Sequence, residues 1–543
     1  MSPGRGGRRH KVLFDDRRKR PRRLSALDRL LVAAVVLVAA FLLVGLWRIT
    51  RIDVGIDGVR DGAVLTAEQA AGLTVDIAVA QRDRLDAATL TFDGRRVDAA
   101  TRVEGGFRWA AGGPLPAGRH ELVLTVPRPV LPSGTFRWTF EVDATPPTLD
   151  APALVASAGM DDRVRIDGKV EAGASLTADG EPVELGEDGS FTLRYDRPPA
   201  GSVLLRAEDD AGHVVYHEVF TPVARPNVRG VHVSASGWAS TELRTEVLRL
   251  VEERRIDTIQ LDIKDEDGVV GYRSGVPLAK QIGATRNLYD LRAVVDQLHG
   301  LGIRVVGRVV AFRDPILADW AWDGDRRDLV LQRPGGVRHE AYGGFTNFAN
   351  HEVQAYNTAI ALEAARAGVD EILWDYVRRP EGDVTQLVVP GLEGTAGDGL
   401  VEFLAESHRQ LRRLGVFQGA SVFGVAAKEP ESVGQDVGRM ARHVDYLSPM
   451  VYPSLWKPGE YRVSDPARRP YDIVVRSLAD FQAKSNGTGI QLTPWLQDFS
   501  LDGVTYGEAQ VRAQIDAAAS LGITGFLLWN PRVRYHGESL DPA

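Results

Sequence analysis

The chain has 543 residues, 44% of them hydrophobic and 25% charged, with 56 Gly and 29 Pro, which is too long for one compact domain and too balanced for a disordered polymer. It contains no Cys, so disulfide frameworks, thiolate metal sites, iron-sulfur clusters and thiol nucleophiles are excluded, while the redox compartment is left open. The net charge of −8 conceals a polarity: residues 1–29 hold 11 Lys and Arg against Asp15, Asp16 and Asp28, leaving −16 for the remainder, a balance that repels nucleic acid.

The first element expected is a membrane anchor. Leu30 to Trp47 is an uncharged run of eighteen residues, LLVAAVVLVAAFLLVGLW, which as a helix covers about 27 Å, close to the hydrocarbon thickness of a bilayer. Arg17, Arg18, Lys19, Arg20, Arg22, Arg23 and Arg29 precede it. The positive-inside rule keeps such a cluster in the cytoplasm and sends the C-terminal side across. A cleaved signal peptide is the rival, but its apolar stretch is normally shorter and ends in small residues, whereas this run ends in GLWRIT. The expected arrangement is a cytoplasmic tail over 1–29, a single-pass helix over 30–47 and extracytoplasmic domains beyond.

From about Asp53 to Val223, short alternating apolar runs are broken by turn residues at the spacing of β-sandwich modules. LTVDIAV, ATLTFDG, RHELVLTV and FRWTFEV are strand-like in a first module over 53–143, and Thr145-Pro-Pro-Thr then excludes helix. VRIDGKV, SLTADG, GSFTLRYD and SVLLRAEDDAG mark a second module over 147–223, with DG and GS pairs where hairpins need positive φ. This second stretch resembles the immunoglobulin-like modules of bacterial surface proteins, which implies a spacer or a ligand-binding module.

From Val228 the rhythm becomes apolar strands alternating with amphipathic helices, calling for a parallel sheet wrapped by helices. Eight strands are expected, at Val228–Ser234, Thr258–Lys264, Arg304–Phe312, Glu371–Val377, Ala420–Val425, Val444–Tyr452, Gly489–Trp495 and Gly522–Trp529. Helices fall between them at 241–254, 288–301, 351–367, 400–414, 471–483 and 506–521. The fold class is therefore a transmembrane helix, two all-β immunoglobulin-like sandwiches and a (β/α)8 TIM barrel over 228–543. A doubly wound open sheet would call for a phosphate-binding Gly loop after an early strand, and none is present.

Reactive groups of such barrels sit at the C-terminal ends of the strands. At the second tip, alternation puts Gln260, Asp262 and Lys264 on one face, with Asp265 and Asp267 just beyond. The third strand carries Arg308 in an apolar run, as a structural ion pair or as a group that tunes a catalytic carboxylate. Asp375 ends the fourth strand between Trp374 and Tyr376, with Arg378 beyond, where a glycosidase carboxylate is wanted, and the aromatic rings can stack on sugars. Tyr452, Trp495, Asp498 and Trp529 add rings and polar groups to the same mouth. The His residues are scattered, and His232 near the first tip reads as a core residue before a ligand or base. Asp262, Asp265 and Asp267 lack the spacing of a calcium loop. No motif calls for a metal or cofactor, and none is expected.

At these residues the chain resembles a bacterial family of (β/α)8 glycoside hydrolases, often membrane-anchored or secreted, whose activity is inferred from fold and motifs. QLDIKDEDG, GRVVAFRDPILA, TNFANHEVQAYN, ILWDYVRRP, DYLSPMVYPS, TPWLQDF and GFLLWN carry the resemblance. It implies an active site lined by Asp262, Lys264, Asp265, Arg308, Asp375, Tyr376, Arg378, Tyr452, Trp495, Asp498 and Trp529. Ser421 stands where relatives often place Asp, with Glu429 as a candidate substitute. The expectation is an envelope or extracellular polysaccharide hydrolase with Asp375 as nucleophile or base and Asp265, ahead of Asp262, as proton donor. A glycan-binding scaffold without catalysis is the alternative. A nucleotide or phosphosugar enzyme fits the export signal and the acidic surface poorly.

Overall fold

The computed structural model describes residues 26–97, 102–128 and 131–542, so the basic cluster before Ala26 lies outside the described residues. The chain divides into two compact units, one holding the chain up to Thr145 with Asp210–His213, the other Pro146–Asp209 with Val214–Ala543.

In the first unit the apolar run forms the helix Ala26–Thr50, whose stretch Arg29–Trp47 has mean hydropathy 2.9 and no burial. An uninterrupted apolar surface left uncovered is what a membrane-crossing helix presents. The same unit holds a four-stranded and a five-stranded sheet. Strand Gly118–Val126 alternates buried and partly exposed residues along its length, so Leu122 and Leu124 meet Val75, Ile77 and Phe140 in one core.

In the second unit, strands Val164–Val170 and Ser202–Glu208 lead two further sheets around Ile166, Leu176, Phe191, Val203 and Leu205. The barrel follows. Its strands are β1 (Arg229–Val233), β2 (Thr258–Lys264), β3 (Arg304–Val310), β4 (Glu371–Asp375), β5 (Phe417–Phe423), β6 (Tyr446–Met450), β7, which enters as Gln491–Leu492 and resumes as Trp495–Gln497, and β8 (Phe526–Trp529). All neighbours pair in parallel, and β8 returns to β1, so no edge is left open. The continuous strand expected over Gly489–Trp495 is broken because Pro494 has no N–H for a ladder bond. The wrapping helices begin where side chains cap them: Asn350 accepts from the amides of Glu352 and Val353, and Thr395 with Asp398 closes a capping box.

The lower barrel is plugged by Arg225 from the segment entering β1. Its guanidinium contacts Glu371 at 2.7 Å with both groups buried, donates to Thr493 at 2.9 Å and stacks 3.7 Å above Tyr446. Arg304 also holds Glu371, at 2.6 Å. Arg225→Ala should lower stability by roughly 3 kcal/mol, because the buried Glu371 keeps only one of its two cations. The midpoint of chemical denaturation checks this.

Candidate active site

The upper interior of the barrel holds a cavity of about 90 Å³ that opens to solvent. Arg308 is its electrostatic centre. Projecting from β3, it donates through Nε to Asp375 at 2.9 Å and lies 2.7 Å from the same carboxylate through Nη2. Its Nη1 reaches Asp262 at 2.8 Å and Glu266 at 3.0 Å. One planar guanidinium thus holds three carboxylates, and the oxygens of Glu266 and Asp375 that it binds are at most roughly 8 Å apart. That bound takes in the carboxyl separation of retaining glycosidases, about 5–5.5 Å, and the shorter part of the inverting range, about 6.5–9.5 Å.

Asp375 is only 3% exposed. Its second oxygen accepts from the amide of Tyr376 at 2.8 Å, a geometry reached because Tyr376 takes φ 48°, a left-handed conformation unusual for a bulky residue. Donors thus reach both of its oxygens. Glu266 is the outer member, with its side chain 40% exposed. The Arg308 charge holds its carboxyl below the usual range, against the opposing effects of burial and of Asp262. Burial, which lowers the Arg308 pKa, is outweighed by the carboxylates of Asp262, Asp375 and Glu266, which raise it well above the usual arginine value.

The walls are aromatic. Tyr376, Phe423, Met450, Tyr452, Trp495 and Trp529 line the cavity beside Arg378. The Arg378 guanidinium lies over the rings of Tyr376 at 4.8 Å and Phe423 at 4.7 Å and is held by Glu381 at 3.0 Å. Trp495 donates its indole N–H to Ser421 at 3.0 Å, so the hydroxyl on β5 orients a wall residue. Rings and charged groups in this arrangement offer stacking faces for sugar rings and a polar floor for their hydroxyls.

A family model described as "Putative glycosyl hydrolase domain" matches residues 230–535, more than half of the chain. The chain belongs to this glycosyl hydrolase family. Among solved structures, a hypothetical protein from Ruminiclostridium thermocellum ATCC 27405 is 30% identical over 35% of this chain and 96% of its own, with a TM-score of 0.30. The endo-1,4-beta-D-mannanase of Thermotoga petrophila RKU-1 is 16% identical over 57% of this chain and 93% of its own, at a TM-score of 0.36. The glycoside hydrolase domain of PelA from Pseudomonas aeruginosa is 14% identical over 57% and 97%, at 0.35. No curated protein matches the chain.

Of the residues expected to form the site of this glycosyl hydrolase domain, the cavity brings together Arg308, Asp375, Tyr376, Arg378, Tyr452, Trp495 and Trp529. Four others do not line it. Alternation places Lys264 inward, but the ladder slips between Asp262 and Lys264, setting Lys264 beside Val309 instead of continuing the alternation. It turns toward the helices, fully buried, 2.7 Å from Asp314 and 2.8 Å from Asn357. Asp498 is buried against His536, accepting from its backbone amide at 2.9 Å, and so fastens the C-terminal segment. Asp262 lies beneath the cavity, accepting from His232 at 2.9 Å. Burial would raise its pKa, but His232 and Arg308 bring it to about 2.

Asp265 folds back onto its own loop, accepting from the amides of Asp267 at 3.0 Å and Val269 at 2.9 Å. Gly268 closes this turn with φ 82°, where a methyl group would collide with the Asp314 carboxylate. Burial pushes the Asp265 carboxyl up to about 6, aided by the charges of Asp262 and Glu266 and opposed by the two amides. Folded Asp265 therefore binds its proton more tightly than the unfolded chain, and wild-type stability falls as pH rises from about 4 to about 6. Asp265→Asn keeps an acceptor for both amides without an ionisable group. It should be more stable than wild type by roughly 2 kcal/mol at pH 7.5 and no more stable near pH 4, as read by denaturant unfolding at the two pH values.

Glu266 is the residue that sequence reasoning passed over. Its signal in the sequence is a third carboxylate in the run Asp265-Glu266-Asp267 just past the second strand tip. Glu429, the suggested substitute for a carboxylate on β5, is exposed and does not line the cavity.

Proposed function

We propose that this protein is a membrane-anchored glycoside hydrolase acting on a polysaccharide outside the cytoplasm, with Asp375 as nucleophile or base and Glu266 as proton donor. The observation that carries the reading is the pair of carboxylates bound to one Arg308 guanidinium inside an aromatic-walled cavity. In hydrolysis, the glycosidic oxygen takes the proton of Glu266 as its bond to the anomeric carbon breaks. The Asp375 carboxylate stabilises the positive charge that develops there, or attacks it, and water supplies the new hydroxyl. The proton donor must be protonated to act, and Arg308 holds Glu266 low, so hydrolysis should be fastest at acidic pH and decline as pH rises through the Glu266 pKa. The apolar helix Arg29–Trp47, with the basic cluster before it, supports an anchor whose catalytic domain is exported.

The alternative, glycan binding without cleavage, draws on Ser421, which binds Trp495 where the family resemblance suggests a carboxylate. The experiment that separates the two incubates the full-length protein in detergent with purified cell-wall and capsular glycans and follows new reducing ends. Release by wild type and none by Asp375→Asn is the result expected. Retention of glycan with no release by wild type would overturn the hydrolase in favour of the binding protein.

A further inference from the structure

Two guanidiniums inside the barrel use the same edge in the same way. Arg308 sets Nε and Nη2 against Asp375, at 2.9 and 2.7 Å, and Arg225 sets the same pair against Glu371, at 3.0 and 2.7 Å. That edge carries two N–H groups pointing the same way, a geometry made for carboxylates. A third guanidinium, Arg378, lines the cavity and is only 4% exposed. Its Nη1 donates to the Arg379 carbonyl and to Glu381, both at 3.0 Å. Tyr342, whose hydroxyl lies near Arg378, donates to the same Glu381 oxygen at 2.8 Å. Among the described residues nothing accepts a hydrogen bond from Nε or Nη2 of Arg378, yet neither nitrogen is sealed from solvent. The rings of Tyr376 and Phe423 hold the guanidinium at 4.8 and 4.7 Å. They line the cavity, whereas Glu381 and Arg379 do not, which leaves the cavity as the place for the unused edge.

Building on the hydrolase reading, we propose that the substrate is an acidic polysaccharide, and that the Nε–Nη2 edge of Arg378 binds the carboxylate of a sugar seated at the cavity. The partner expected for this edge is the one that Arg308 and Arg225 already take. A phosphomonoester fits less well, because its second negative charge would face Glu266 and Asp375 across the same cavity. A second cation stands on the same wall: Arg313 lies 5.2 Å from the Tyr376 ring and donates to its hydroxyl at 2.9 Å. Its ion pair with the exposed Asp267 is long, at 3.8 Å. The chain beyond residue 29 is net negative, so the field of the whole protein does not draw in an acidic polymer and recognition falls to these local cations.

The test gives the full-length protein in detergent polysaccharides built on uronic acids, glycan strands stripped of peptide whose acid is a lactyl ether, and sulfated and phosphorylated chains. Each carboxylate chain is paired with a copy whose carboxyls are reduced to hydroxymethyl groups, with its linkages intact, and new reducing ends are followed. Wild type should cleave an acidic chain with a kcat/KM roughly ten- to a hundredfold above that for its reduced copy, and the chain cleaved identifies the source of the acid. In Arg378→Met that ratio should fall toward one, a comparison within one protein that cancels any general loss of folding. Equal rates on native and reduced chains by wild type, or an unchanged ratio in Arg378→Met, would overturn the proposal and leave the hydrolase reading intact. Preference for a sulfated or phosphorylated chain would do the same, giving the edge to a tetrahedral anion. Cleavage of no chain, acidic or neutral, overturns both.

Discussion

Replacing Asp375 by Asn is expected to lower kcat/KM for glycan hydrolysis by about a thousandfold or more, in line with the loss of a group acting directly at the reacting carbon. The substitution removes the charge and keeps the shape. The new side-chain amide still offers a carbonyl oxygen to the Tyr376 N–H, which the wild-type carboxylate engages at 2.8 Å, so the left-handed turn at Tyr376 is preserved. Arg308 keeps Asp262 and Glu266 as partners, so no buried cation is left unpaired. The fold should persist and the chemistry should not. Circular dichroism alongside product release separates the two effects, and undiminished turnover would remove Asp375 from the mechanism.

The second large effect is expected at Arg308. Arg308→Met leaves Asp262, Asp375 and Glu266 facing one another around a neutral side chain. Removing one partner of a buried ion pair typically costs about 3–5 kcal/mol, and here three carboxylates share the loss. Without the Arg308 charge that holds the Glu266 carboxyl low, the Glu266 pKa should rise, moving the alkaline limb of any residual pH–rate profile upward. Arg308→Lys keeps a cation but not the planar fork that reaches Asp375 with one edge and Asp262 with Glu266 from its remaining nitrogen. It should recover much of the stability and little of the activity. Equal losses of both in the two variants would reduce Arg308 to a structural ion pair.

The barrel is legible in the sequence because its strands are buried on both sides and read as short apolar runs, while its helices carry their caps and periodicity locally. The strand expected at Thr258–Lys264 coincides with β2 at both ends. What escapes such reading depends on geometry between segments. The slip that turns Lys264 outward is a relation between β2 and β3, and alternation along one strand cannot show it. Asp498 has the composition of a site residue, but its partner is His536, 38 residues later. Asp265 and Glu266 are neighbours of like chemistry, and their roles separate only once the Asp265 carboxylate is seen capping its own turn. Arg308 and Asp375 stand out together because each is a charge following an apolar run toward the C-terminal end of its strand, and such charges require a partner within reach.

The assignment of Glu266 and Asp375 is tested most directly by comparing hydrolysis of a natural glycan with that of an aryl glycoside of the same sugar, whose leaving group departs without protonation. Glu266→Gln is expected to lose activity on the glycan and keep much of it on the aryl glycoside, while Asp375→Asn loses both and Asp265→Asn keeps both. Selective loss on the glycan in Asp265→Asn, with Glu266→Gln unaffected, would make Asp265 the proton donor.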